Sequence, residues 1–176
     1  MALQNNNTLY TLMRINVIIL LCFSCSKLYA QENFADKCIG KWEGIMYIYG
    51  KGQLRDSLPV ELDVQKTNKS DTWLWKTTYL SKTMPAVKDY KLVLKDAVTQ
   101  TYATDEGNSI ELMDYYFNNK LYSIFETHGV MLTSSYELQG NQLIFEVTSG
   151  KKIDENKEVN NYSVLNLQRV IFKRRK

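Results

Sequence analysis

The residues in this 176-residue chain that could do chemistry are few, and most of them stand alone. The single histidine, His128, precedes Gly129 in a predicted turn, where a general base has neither an orienting partner nor a nucleophile beside it. It reads as a solvated turn residue. Asp105-Glu106-Gly107-Asn108 offers the oxygen ligands that calcium takes, but lacks the spacing and further ligands of a calcium loop, and it too reads as a turn. Glu61 and Asp63 alternate with apolar residues and so belong to a wet face. No catalytic residue, metal ligand set or cofactor motif is assigned. What remains is aromatic. Trp73, Trp75, Tyr79, Tyr90, Tyr102, Tyr115, Tyr122 and Tyr136 are spread over successive predicted strands, and Trp73, Trp75 and Tyr79 share one face by the period of two. Lining an interior, such rings offer apolar contact while their hydroxyls orient a ligand. Packed on one another, they fill a core. The alternation leaves both roles open, because bulky residues occupy both faces.

The elements that must position these rings are strands. From Trp42 onward, stretches rich in β-branched and aromatic residues alternate with polar turns at even intervals. Leu58, Val60, Leu62 and Val64 share one face of the clearest strand, with charged residues opposite. Ten strands are predicted: 42–49, 58–66, 72–80, 88–95, 98–104, 109–117, 121–127, 131–138, 142–148 and 162–173. Gly, Asn and Asp recur in the connections, as tight hairpins require. A meander of ten strands leaves two bare edges unless its first and last strands pair, so the predicted fold is an all-β, single antiparallel meander barrel. A two-sheet sandwich is the alternative. Ten strands enclose more space than their own side chains fill.

The first thirty residues are of another kind. Arg14 precedes the apolar run from Ile15 to Phe23, and small and polar residues lead to Leu28-Tyr29-Ala30, the pattern of a secretory signal cut after Ala30. The run is shorter than the ~20 apolar residues of a membrane span. A lipid-attachment cut before Cys25 is the lesser alternative, since Cys22 stands where a bacterial lipobox prefers an aliphatic residue. The domains are therefore a signal peptide (1–30), an N-terminal segment (31–39) and the barrel (40–176). Cleavage takes the formal charge from +3 to +1 by removing Arg14 and Lys27. It leaves Cys38 as the one cysteine, so neither an intramolecular disulfide nor a cysteine metal site is expected. Cys38 reads as a small buried hydrophobe. The basic run Lys173-Arg174-Arg175-Lys176 reads as a solvated tail, and a nearly neutral domain lacks the basic face of a nucleic-acid binder.

Gly40-Lys41-Trp42 at the first strand and Leu167-Gln168-Arg169-Val170-Ile171-Phe172 in the last resemble the calycin arrangement of lipocalins and fatty-acid-binding proteins. That resemblance implies a barrel whose closed end joins Trp42 to Arg169, the guanidinium stacked on the indole. Gly50 to Ser57 is too short for the helical lid of the fatty-acid binders. Their carboxylate-binding Arg-x-Tyr stands here as Arg169-Val170-Ile171, without the tyrosine, so fatty-acid binding does not carry over. The expected function is that of an exported, non-catalytic binding protein, in the periplasm, at the envelope or outside a bacterium. It holds a small, largely apolar ligand among the aromatic residues and Arg169. The alternative is an envelope interaction module with a filled core and a functional surface.

Overall fold

The computed structural model describes residues 32–155 and 158–175. The signal-peptide expectation for residues 1–30, with the alternative attachment at Cys25, lies outside the described residues. A five-residue helix α1 (Phe34–Cys38) leads into eleven strands: β1 (Gly40–Gly50), β2 (Gln53–Lys66), β3 (Thr72–Tyr79), β4 (Ala86–Asp96), β5 (Thr101–Asp105) and β6 (Glu111–Phe117), followed by β7 (Lys120–Thr127), β8 (Val130–Gln139), β9 (Gln142–Glu155), β10 (Asn160–Tyr162) and β11 (Asn166–Arg174). Ten of them form a closed antiparallel ring in which β9 joins β8 on one side and β11 on the other, while β10 hangs from the far end of β9. The fold is thus an all-β calycin-like barrel without a helical lid. No described helix is long and apolar enough to cross a membrane.

Local chemistry explains the boundaries. The β1–β2 connection is the two-residue turn Lys51-Gly52, with φ of 51° and 76°, and His128-Gly129 repeats it between β7 and β8 with φ of 50° and 71°. Two positive φ values in a row are what a type I′ hairpin requires. Pairing of Gly50 with Gln53 carries β2 five residues further back than Leu58, where the charged and polar stretch 53–57 masked it. The last expected strand divides in two. Leu165 N–H donates to the Ser149 carbonyl and Ser163 N–H to the Lys151 carbonyl, so 163–165 stays tied to β9 between β10 and β11. Gly44 lets β1 and β11 approach, since a Cβ there would lie 2.7 Å from the Ile171 carbonyl oxygen.

One end of the ring is plugged by α1. Asn33 caps it, its side chain accepting the Asp36 N–H at 2.9 Å. Phe34, Ala35 and Cys38 are fully buried among Trp42, Trp73, Tyr102, Leu121, Leu143 and Phe172. Three polar ties fix the plug: Trp42 Nε1–H donates to the Cys38 carbonyl at 2.8 Å, Trp73 Nε1–H to Asp36 at 2.9 Å, and Phe34 N–H to the Gln100 side chain at 3.1 Å. No helix was expected here, because five residues are too few to show a helical period.

The closing arginine is Arg174, not Arg169. In the β1–β11 register Trp42 lies opposite Arg174, whose guanidinium sits 4.3 Å from the indole ring and donates to the carbonyls of Ile39 and Lys37. Arg169 is five residues away, hence on the other face of the strand, where it pairs with Glu146 at 3.5 Å. The expected solvated tail is corrected with it. Arg174 belongs to β11, and Arg175 bonds the Lys41 carbonyl through its N–H and Glu61 through its guanidinium.

Cys38 has no surface in contact with solvent, and burial pushes its thiol up to about 12, against the smaller opposing pull of Arg174 and Lys37. Reactivity needs both thiolate and access. Cys38 is expected to resist maleimide at pH 8 in the native protein and to label to completion in urea. Timed labelling read by intact mass checks this, and rapid native labelling would show the plug to be loose.

Candidate functional site

Parity along each strand decides which side chains enter the barrel, and it divides the aromatic set. Trp73, Trp75 and Tyr79 on β3, Tyr90 on β4, Tyr102 on β5 and Tyr136 on β8 point inward. Tyr115 and Tyr122 do not. They pair across β6 and β7 on the outer surface, 50% and 42% exposed, with Lys120 over the Tyr122 ring. The expectation that they line the interior is therefore corrected, as is that for Arg169, which lies on the outer wall. The physical reason is the same for both tyrosines: β6 alternates Leu112, Asp114, Tyr116 with Met113, Tyr115, Phe117, and bulk on both faces hides the phase.

The inward residues fall into two zones. Near α1, Trp73, Tyr102, Leu121 and Phe172 are almost wholly buried and make a packed core. Toward the opposite rim the inward side chains of β8 and β9, namely Leu132, Ser134, Tyr136, Phe145, Val147 and Ser149, are only half-buried. They point away from the outer surface, so the surface they keep is reached from inside the ring. Tyr136 is one of these half-buried side chains.

Trp75, Asp114 and Ser123 form the floor between the zones. Tyr136 stacks on Phe145 with ring centres 4.4 Å apart and meets the edge of Trp75 at 5.2 Å, while Phe34 backs Trp75 at 6.4 Å from below. Burial, with Tyr79 nearby, pushes the Tyr136 hydroxyl well above its ordinary value, so it stays a neutral donor. The Trp75 indole N–H lies beside that hydroxyl and the Tyr102 hydroxyl beside the backbone of Phe34 and Ala35, though neither pair meets full hydrogen-bond geometry.

Asp114 is the floor residue that sequence reasoning missed. It is 6% exposed, and Thr104 donates to it from the hydroxyl at 2.7 Å. Burial nevertheless pushes its carboxyl up to about 6, against the lowering effect of Thr104. Its one sequence signal was position, two residues from Leu112 and from Tyr116, and a strand carboxylate is by default assigned outward. At the rim, burial first and then Glu106 hold the Tyr90 phenol up at about 12, and Lys88 lies 5.8 Å from its ring. His128 is an exposed rim-turn residue bonded to Thr127. Among the described residues, no three His, Cys, Asp or Glu side chains are grouped to hold a metal ion.

A hollow of about 800 Å³ lies outside the ring across β11, β1 and β2, lined by Ile45, Tyr47, Leu80 and Ile171 together with Glu43, Glu61, Arg169 and Lys173.

No protein-family model matches the chain, and no curated protein matches it. Solved structures share its fold. The S-type phycobiliprotein lyase of Guillardia theta superposes with a TM-score of 0.60 at 8% identity, over 86% of this chain and 98% of its own. A protein of unknown function of the DUF3598 family from Nostoc punctiforme gives 0.58 at 11%, over 86% of this chain and 53% of its own. The fluorescent protein UnaG gives 0.46 at 13%, over 80% and 99%. At these identities the first two show a likeness of fold and no more.

Proposed function

We propose that this protein is an exported, non-catalytic carrier that holds a small, largely apolar molecule in the open half of its barrel. The observation that carries this is the accessible, aromatic interior, in which Tyr136, Phe145 and Val147 keep reachable surface although they point into the ring. A sealed core would have buried them as completely as Trp73 and Tyr102. The signal-like pattern of residues 1–30 supports export, to the periplasm, the envelope or the medium of a bacterium. The barrel shape alone does not separate carrier from catalyst, since a phycobiliprotein lyase has it too. The choice of carrier rests on the floor, where Asp114 and its bonded Thr104 hydroxyl have no second acid, histidine or lysine acting on them.

Native mass spectrometry of the protein purified gently from its host is expected to show a stoichiometric small molecule that is released on unfolding. A clean apo mass, with no quenching of tryptophan fluorescence by a panel of apolar compounds, would sink the carrier reading. The outer hollow favours a second reading in that event. Ile45, Tyr47, Leu80 and Ile171, each 42–45% exposed around one groove, would serve an envelope interaction module.

A further inference from the structure

A binding interior selects by charge as well as by shape, and the charges inside this one are of a single sign. Between floor and rim, no described lysine or arginine occupies an inward strand position. Lys88 and Lys151, which share the inward phase, stand exposed at the rim, and Arg174 and Lys66 are committed to the plugged end. Asp114 is a buried carboxylate with Thr104 as its neutral donor and no cation acting on it. A buried charge without a counter-ion is costly, and a ligand that supplies the counter-ion removes that cost. The walls suit the same ligand. Tyr136, which keeps accessible surface, lies close enough to feel the carboxylate's charge, and aromatic faces attract cations.

From these, we propose that the barrel takes an apolar organic amine, with Asp114 as the counter-ion of its ammonium group and Tyr136 as the ring beside it. This rests on the reading of the barrel as a carrier. The groups that face Asp114 are Thr104 and Tyr102 from β5, Ser123 from β7 and Tyr136 from β8, none of them charged near neutral pH. Asp114 alone therefore governs the pH dependence. With its carboxyl at about 6, amine binding is full near pH 7.5 and falls as the pH drops through 6.

The test uses three probes with one apolar body: 2-naphthylmethylamine, 2-naphthylmethanol and 2-naphthoate, titrated calorimetrically into the protein. At pH 7.5 the amine is expected to bind at least tenfold more tightly than the alcohol, and the carboxylate most weakly. Asp114→Asn should abolish the preference for the amine while keeping alcohol binding. Thr104→Val removes the bond that holds the carboxyl down, and so should move the pH midpoint of amine binding upward. Equal binding of amine and alcohol, or a preference that survives Asp114→Asn, overturns the counter-ion site and leaves the carrier standing. Binding of none of the three overturns both.

Discussion

Asp114→Asn is expected to stabilise the unliganded protein by as much as about 3 kcal/mol at pH 8 and to leave its stability unchanged at pH 4. The folded state holds the Asp114 carboxyl up at about 6, above the ordinary 3.8. Two units of difference correspond to about 3 kcal/mol, because each unit is worth 1.36 kcal/mol. The sign follows from proton binding. Between pH 4 and 6 the folded protein holds a proton on Asp114 that the unfolded chain has released, so raising the pH through this window costs stability. The contribution is complete below about pH 4 and gone above about pH 6. Asparagine keeps the size and the acceptor that Thr104 needs, without the charge. Urea unfolding from pH 4 to 8 reads the effect as a slope present in the wild type and reduced in the variant. Equal slopes would show that Asp114 does not meet the low-dielectric interior described. A residue that makes the empty protein less stable at working pH is also the one expected to hold the ligand, which is how binding sites differ from cores.

The second large effect separates two arginines. Arg174→Ala removes a guanidinium stacked on Trp42 and two hydrogen bonds to the carbonyls that end α1, and is expected to cost about 2 kcal/mol or more. Arg169→Ala removes an exposed ion pair with Glu146 and should change stability by less than about 0.5 kcal/mol. Parallel chemical denaturation of the two variants decides. A larger loss for Arg169 would mean that the closed end is not held as described.

Much of this fold was legible because strands announce themselves at both ends. Lys51-Gly52 and His128-Gly129 mark hairpins, and Leu58-Val60-Leu62-Val64 declares an inner face. Phase was harder wherever both faces are bulky. Tyr115 and Tyr122 turned outward with no residue in β6 or β7 to forbid the opposite assignment, and Asp114 turned inward against the default for a carboxylate. Arg169 drew the closing role by its place in a familiar-looking strand, yet only the count back from Trp42 across the β1–β11 register fixes the partner, and that count lands on Arg174. Helix α1 is held by tertiary ties to Trp73 and Gln100 rather than by its own five residues, and those ties have no trace in the local sequence.

The pairing of β1 with β11 sets the order of events in folding. Arg174 meets the carbonyl of Ile39 across 135 residues of chain, so the ring cannot close until nearly the whole domain is available. Until then β1 and β9 each carry a bare edge, and the two bonds from Arg174 to the end of α1 wait for that closure. Such a barrel belongs among the slow folders of high contact order, with its slowest step at the seam and its greatest exposure to aggregation before that seam forms.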